Sequence, residues 1–250
     1  MAGPRQRRRG ASTLSALAVA LVAVCATAVP AAAHTPFQDG HAHQGPADAI
    51  VVADPDLSQV AYQDMTGAST FWIAVDLVAG QSLYVQLGMP ALDRLRDYRP
   101  SLALVGPGLG ADRVPFTVPA GSGVTVVAPN VPPQPFDEIF TGTSDLILAT
   151  TTIPAPTTGR YYVVAYGPAQ ANGKLFVTVG KREAFGFNDL LTYHDTLLGV
   201  RAFHELSVSQ PLPPLPAFLD VISLVFRCFN PGYPRPAPGM WPTPTASTAQ

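Results

Sequence analysis

His34, His41 and His43, three of the five histidines in 250 residues, fall in one short stretch, HTPFQDGHAH, behind an Ala31-Ala32-Ala33 run. If a leader is removed after Ala33, His34 becomes the first residue. Its α-amine and imidazole can then chelate one copper ion as a histidine brace, with His41 or His43 as a further nitrogen, because imidazole and amine nitrogen suit copper. A short His-rich tract is otherwise only a compositional metal signal, and the plainer expectation for His41 and His43 is solvated residues of a loose arm.

Other side chains invite chemistry at lower specificity. Asp54 and Asp56, with Asp64 near, offer carboxylate oxygens to Ca²⁺. Asp-Pro-Asp is ordinary turn material, however, and the Gly and distal Glu of an EF-hand loop are missing. His194-Asp195 and His204-Glu205 suggest a general base or a metal. They stand ten residues apart with Gly199 between them, so surface or capping roles are expected. Trp72, Tyr84, Tyr161 and Tyr162 would make an aromatic strip for carbohydrate or peptide, against the commoner fate of core packing. Gly121-Ser122-Gly123 is a turn and not a nucleophile elbow, and neither H-E-x-x-H nor paired zinc cysteines occur. No catalytic residues are assigned, and no cofactor is expected beyond the copper alternative.

The elements that would position these groups begin with an export signal. Arg5, Arg7, Arg8 and Arg9 precede an apolar run from Leu14 to Val29, then the small residues before His34. That order predicts a signal peptide over residues 1–33. A membrane anchor would need about 20 apolar residues and no cleavage site. A lipid anchor at Cys25 is disfavoured by Val24, and twin-arginine export by the lack of an apolar pair after the arginines. The expected location is secreted or periplasmic, with no transmembrane span once the signal is gone.

The processed chain keeps 11 basic and 17 acidic residues, a net charge of −6, which argues against a nucleic-acid partner. An unknown extracellular or cell-surface ligand is the expected partner. Cys228 is then the one remaining cysteine, so it is either buried or pairs between chains.

Residues 34–48 read as the histidine-containing arm and residues 49–182 as the main domain. With 27 Pro and 21 Gly in the chain, short strands joined by many turns are expected. Ser69 to Met89 alternates with period two: Phe71, Ile73, Val75 and Leu77 share one face, and Leu83, Val85 and Leu87 share another. With Ala79-Gly80 between the runs, the segment predicts a β-hairpin. Asp145 to Ile153 and Arg160 to Tyr166 predict a second. Ile50 to Val52, Gln59 to Tyr62, Ser101 to Val105, Gly123 to Ala128 and Lys174 to Gly180 complete about eight strands. Leu92 to Arg99 is expected as a surface loop or helical turn, and Pro129 to Thr143 as a Pro-rich loop with Phe136 and Phe140 tucked inward. The fold class is therefore all-β, a jelly-roll-like antiparallel β-sandwich.

From residue 183 the period changes to three and four. Asn188 or Asp189 caps a helix carrying Leu190, Leu191, His194, Leu197 and Leu198, weakened or ended at Gly199. Phe218 to Phe229 is a second apolar segment expected to dock on the sandwich. Residues 183–230 thus make a short C-terminal helical appendage, and 231–250 a disordered Pro-rich tail.

Several of these runs resemble a known module. Gln59-Val60-Ala61-Tyr62, Phe71 to Leu77 with Ala79-Gly80-Gln81-Ser82-Leu83, Pro100 to Gly108 and Thr158-Gly159-Arg160-Tyr161-Tyr162-Val163-Val164 look like the signatures of the bacterial pre-peptidase C-terminal (PPC) domain, over roughly residues 58–180. The resemblance implies a noncatalytic jelly-roll-like sandwich serving secreted enzymes as a binding or solubilising module. Residues 109–157 are a longer insertion than such modules carry, and no enzyme domain accompanies them. The brace arrangement is separately similar to that of lytic polysaccharide monooxygenases and periplasmic copper carriers. The reading is an exported, noncatalytic binding or structural module, with a copper-binding protein as the alternative.

Overall fold

The computed structural model describes residues 35–37, 41–184, 186–207 and 209–230. The signal peptide, His34 and the Pro-rich tail lie outside the described residues. Eleven strands form two sheets packed face to face. Sheet A has the order β1 (Thr35–Phe37), β3 (Gln59–Met65), β11 (Gly173–Val179), β5 (Ser82–Pro90), β9 (Thr143–Pro154), β8 (Pro129–Glu138). Sheet B has the order β2 (Ile50–Val52), β4 (Thr70–Leu77), β10 (Gly159–Tyr166), β6 (Ser101–Gly106), β7 (Gly123–Val126). The β-sandwich expected from the sequence is the fold; among the described strands, β1·β3 and β2·β4 pair in parallel and the rest antiparallel.

Neither predicted hairpin forms. β4 lies in sheet B and β5 in sheet A, so Ala79-Gly80 turns the chain from one layer into the other, and the same holds for β9 and β10. Alternation fixes which face of a strand is buried but not which strand it bonds to. β4 pairs with β10 (Val75↔Tyr161) and β5 with β11 (Val85↔Val179) and β9 (Val85↔Thr151). The true hairpins are β6–β7, and β8–β9, where the Gly142 N–H donates to the Glu138 carbonyl at 2.8 Å with Gly142 at φ 63°.

The Phe71 face and the Leu83 face meet across the sandwich, where Phe71, Ile73, Val75, Leu83, Val85 and Leu87 are buried together with Leu102, Leu104, Val163 and Val177. Tyr161 joins this core. Its hydroxyl donates to the Thr157 carbonyl at 2.7 Å, so the burial leaves the polar end satisfied. Pro129 to Glu138 is the edge strand β8 and not a loop. An edge tolerates prolines because one side of the strand needs no N–H. Phe136 there is exposed and not tucked in.

Both outer faces are covered by the same chain. Over sheet B, the β6–β7 connection lays Phe116 against Trp72 (ring centroids 5.3 Å) and Tyr166 (5.5 Å), with Val114 and Val118 beside it. Over sheet A lies helix α1 (Phe187–Phe203), whose Phe203 meets Tyr62 at 5.0 Å. The helix starts where the Asp189 carboxylate accepts the Gly186 N–H at 2.7 Å, and it runs through Gly199, which is buried. Helix α2 (Pro214–Phe229) packs on α1. Its contacts are His194 Nδ1 with Asp220 (2.6 Å), the His194 N–H donated to Ser223 Oγ (3.2 Å), and Arg227 with Asp195 (3.1 Å). Leu92 to Arg99 holds one 3₁₀ turn, Asp93–Leu95, which drops Leu95 and Tyr98 into the core. No described helix is long and apolar enough to cross a membrane.

Candidate functional site

The arm that carries the histidines is bound to the sandwich. β1 pairs with β3 (Thr35↔Gln59), and the next stretch is held by Trp72 N–H donating to the His43 carbonyl (2.8 Å) and Thr70 Oγ1 to the Gln44 carbonyl (2.8 Å). The Asp48 carboxylate accepts the N–H groups of Gln44 (3.0 Å) and Gly45 (2.7 Å), closing the turn. Inside it His43 is buried at φ 44°, a left-handed conformation uncommon for a side-chain-bearing residue. Its Nδ1–H donates to the Asp48 carbonyl at 2.5 Å, which fixes the tautomer with the proton on Nδ1. His41 is exposed and sits edge-on to the His43 ring, 6.2 Å between centroids. The expectation of two solvated histidines therefore fails for His43. The structure brings His41 and His43 together, while His34 is outside the described residues. Among the described residues, no group of three or more His, Cys, Asp or Glu is placed to hold a metal.

The acidic turn behaves as a turn. Asp54 Oδ1 accepts the Asp56 N–H (3.1 Å), its other oxygen pairs with Arg182 (2.5 Å), and Asp64 pairs with Lys174 (3.0 Å). His194 joins the two helices. Although Ser223 and Asp220 both touch it, Ser223 meets the backbone N–H and is fully buried, so no Ser–His–Asp relay exists there. Asp195 and Glu205 serve neither histidine beside them, since Glu205 pairs with Arg94.

His204 takes one of the roles expected for it, a cap, but its partner was missed from the sequence. His204, the C-cap of α1, is buried against Asp145 of β9, with Nε2 to Oδ1 at 2.8 Å and Nδ1 to the Val200 carbonyl at 2.7 Å. A carbonyl only accepts, so Nδ1 carries a proton. Both ring nitrogens are therefore engaged, one by the carbonyl and one by the Asp145 carboxyl, in a buried couple. Around it stand Tyr62, Glu138 and Glu183. Burial pushes Glu138 up to about 7, against the Phe140 N–H that donates to its carboxylate; Asp145 and Glu183 add to the rise and His204 opposes it. Burial also holds the Tyr62 hydroxyl well above its ordinary range, with Asp145 and Glu138 adding to it. Arg201 is buried beside them and donates to the Thr141 carbonyl at 3.1 Å. The one available signal was parity: Asp145 and Ile147 share a face of β9, and Ile147 packs on the outer side of sheet A with Val60 and Phe176. These groups face α1 and one another, and they fasten the helix to the sheet.

The aromatic strip does not form. Tyr161 points into the core, Trp72 and Tyr162 lie beneath the β6–β7 connection, and of the four Tyr84 is on the outer face of sheet A. At Tyr84, however, the surface opens into a cleft of about 390 Å³ lined by Asp56, Ser82, Tyr84, Thr152, Lys181 and Arg182. Lys181 Nζ stands 4.4 Å over the Tyr84 ring. The Lys181 and Arg182 N–H groups donate to the Asp56 carbonyl at 3.0 and 2.8 Å, which fixes the loop that presents both cations. Ser82, Tyr84 and Thr152 come from β5 and β9, paired across the sheet (Tyr84↔Thr152), so this floor is rigid.

No family model matches the chain. No curated protein matches its sequence either. Among solved structures it is similar to the periplasmic lysozyme inhibitor PliG of Aeromonas hydrophila, an inhibitor of g-type lysozyme, at 12% identity and a TM-score of 0.32, over 59% of this chain and 98% of that one. It is similar to the pre-peptidase C-terminal domain of the Bacillus anthracis collagenase at 11% identity and a TM-score of 0.29, over 52% of this chain and 91% of that one. A third likeness, at 13% identity and a TM-score of 0.28 over 54% of this chain and 98% of that one, is to CorA, a surface-associated copper-binding protein of Methylomicrobium album BG8. One of these likenesses is to a domain of the kind that the strand signatures resemble.

Proposed function

We propose that this chain is an exported, noncatalytic binding module whose ligand surface is the cleft beside Tyr84. The observation that carries the reading is the make-up of that cleft: a rigid two-strand floor with one aromatic ring and two hydroxyls, rimmed by Lys181 and Arg182. Apolar area with a few convergent polar groups is the usual composition of a small-ligand site. The hydroxyls and the Lys181 ammonium, beside an Arg182 already paired with Asp54, favour a hydroxyl-rich ligand bearing a carboxylate, such as an acidic saccharide of a cell-surface polymer. The buried His204–Asp145 couple is spent on holding α1, and the other polar clusters close turns or join helices. Calorimetric titration with a uronic-acid oligosaccharide and with its neutral counterpart tests this. Binding of the acidic one is expected, weakened about tenfold in Tyr84→Ala, a loss of about 1.4 kcal/mol. No heat with either saccharide, or equal affinity in wild type and Tyr84→Ala, refutes the cleft.

A second reading, copper capture by His34, His41 and His43, is favoured by the edge-to-face placement of His41 and His43 and by the Asp48 carbonyl that orients the latter. Cu²⁺ titration of processed protein against a form with one added N-terminal residue separates it from chance binding. A brace loses affinity by orders of magnitude on extension, and unchanged affinity rules it out.

A further inference from the structure

Helix α2 is turned inside out relative to an ordinary surface helix. Its inward stripe, Pro216, Asp220, Ser223 and Arg227 at spacings of four, three and four, contains both of its charges, and these pair with His194 and Asp195 of α1. The opposite stripe is apolar and faces outward: Phe218, Val221, Leu224, Val225 and Phe229 are all exposed, Val221 at 61% and Phe229 at 79%. A surface helix normally shows water its charges and buries its apolar stripe. Here the apolar stripe is extended by exposed Phe187, whose ring meets Phe226 edge-on at 5.5 Å.

We propose that two copies of this chain pair through the outward faces of α2 across a two-fold axis. Two observations select a second copy as the occupant. The exposed face of α2 presents no charge, so it does not repel itself and is self-complementary, the condition for an isologous contact. Six large apolar side chains amount to a patch of the order of 500 Å² per copy, at the upper end for a monomer, and pairing two of them buries about 1,000 Å², the size at which specific association begins. The net charge of −6 for the processed chain gives no attraction to an anionic bilayer, and the exposed face adds no cation to supply one.

Sedimentation equilibrium of the processed, full-length chain under reducing conditions tests the pairing. A concentration-dependent monomer–dimer equilibrium is expected, retained in Cys228→Ser and in Val51→Glu, where an exposed valine of β2 on the other sheet is charged. Val225→Glu, which places a charge at the centre of the stripe, should weaken the dimer roughly thirtyfold or more. Its circular dichroism should not change, nor its unfolding midpoint at concentrations where the wild type is monomeric, because Val225 in the single chain touches solvent and not the core. A monomer at every concentration, a dimer indifferent to Val225→Glu, or a dimer lost in Cys228→Ser overturns the proposal. So does flotation of the wild type, but not of Val225→Glu, with phosphatidylcholine–phosphatidylglycerol vesicles.

Discussion

Glu138, buried beside Asp145 and His204, is the residue through which pH should act on this fold. Its carboxyl is held at about 7 in the folded chain against an ordinary 4.5, chiefly by burial. A group whose folded pKa is raised favours the folded state when protonated. Its contribution is therefore whole below pH 4.5 and is lost as pH rises through 7. Unfolding free energy should fall over that window by about 3 kcal/mol from this group. Glu138→Gln, uncharged at all pH, should flatten the slope, as read by urea denaturation at pH 5 and pH 8. A slope unchanged in Glu138→Gln would place the titration elsewhere. The charged and titratable neighbours that shape this window are Asp145 on β9, Glu183 after β11 and His204 at the end of α1.

Among the elements, the β6–β7 connection has the most specific task. It is long because it must reach over sheet B and lay Phe116 on the Trp72, Tyr162 and Tyr166 cluster. Phe116→Ala should cost about 2–3 kcal/mol, at the lower end for an aromatic truncation because the ring is only partly buried. It should also shift Trp72 emission to the red when measured in a Trp241→Phe background. A blue-shifted, unchanged spectrum would mean that the connection does not shield Trp72. The strand pairings show why the runs around Ala79-Gly80 mislead. A tight turn between two alternating runs serves a hairpin or a passage between layers equally well, and only the partner strands β10 and β11 choose between them. The Pro129 to Glu138 run misleads the other way. Its prolines forbid a central strand, yet it is an edge strand, bonded to β9 alone.

For the molecule as a whole, the helices are part of the folding unit. α1 covers Tyr62, Ile147 and Phe176 on the outer side of sheet A and supplies the His204 partner of Asp145. Ending the chain after Arg182 should cost at least about 4 kcal/mol, combining exposed apolar area with an orphaned buried carboxylate. Soluble truncated protein with the midpoint of the full chain would show that α1 is dispensable.

What the sequence by itself determined was set by local physics. Period-two alternation put Phe71, Ile73, Val75 and Leu77 on the core side, composition announced an all-β body, and spacings of three and four marked the helix at Leu190 to Leu198, because side-chain direction follows from backbone geometry alone. What only the tertiary structure decided was everything that joins distant residues. It set the layer to which each strand belongs, drew His43 beneath the Asp48 turn, joined His204 to Asp145 across 59 positions, and turned the charges of α2 toward α1. Such contacts depend on which surfaces remain to be covered once the sheets have formed, and no local pattern carries that information.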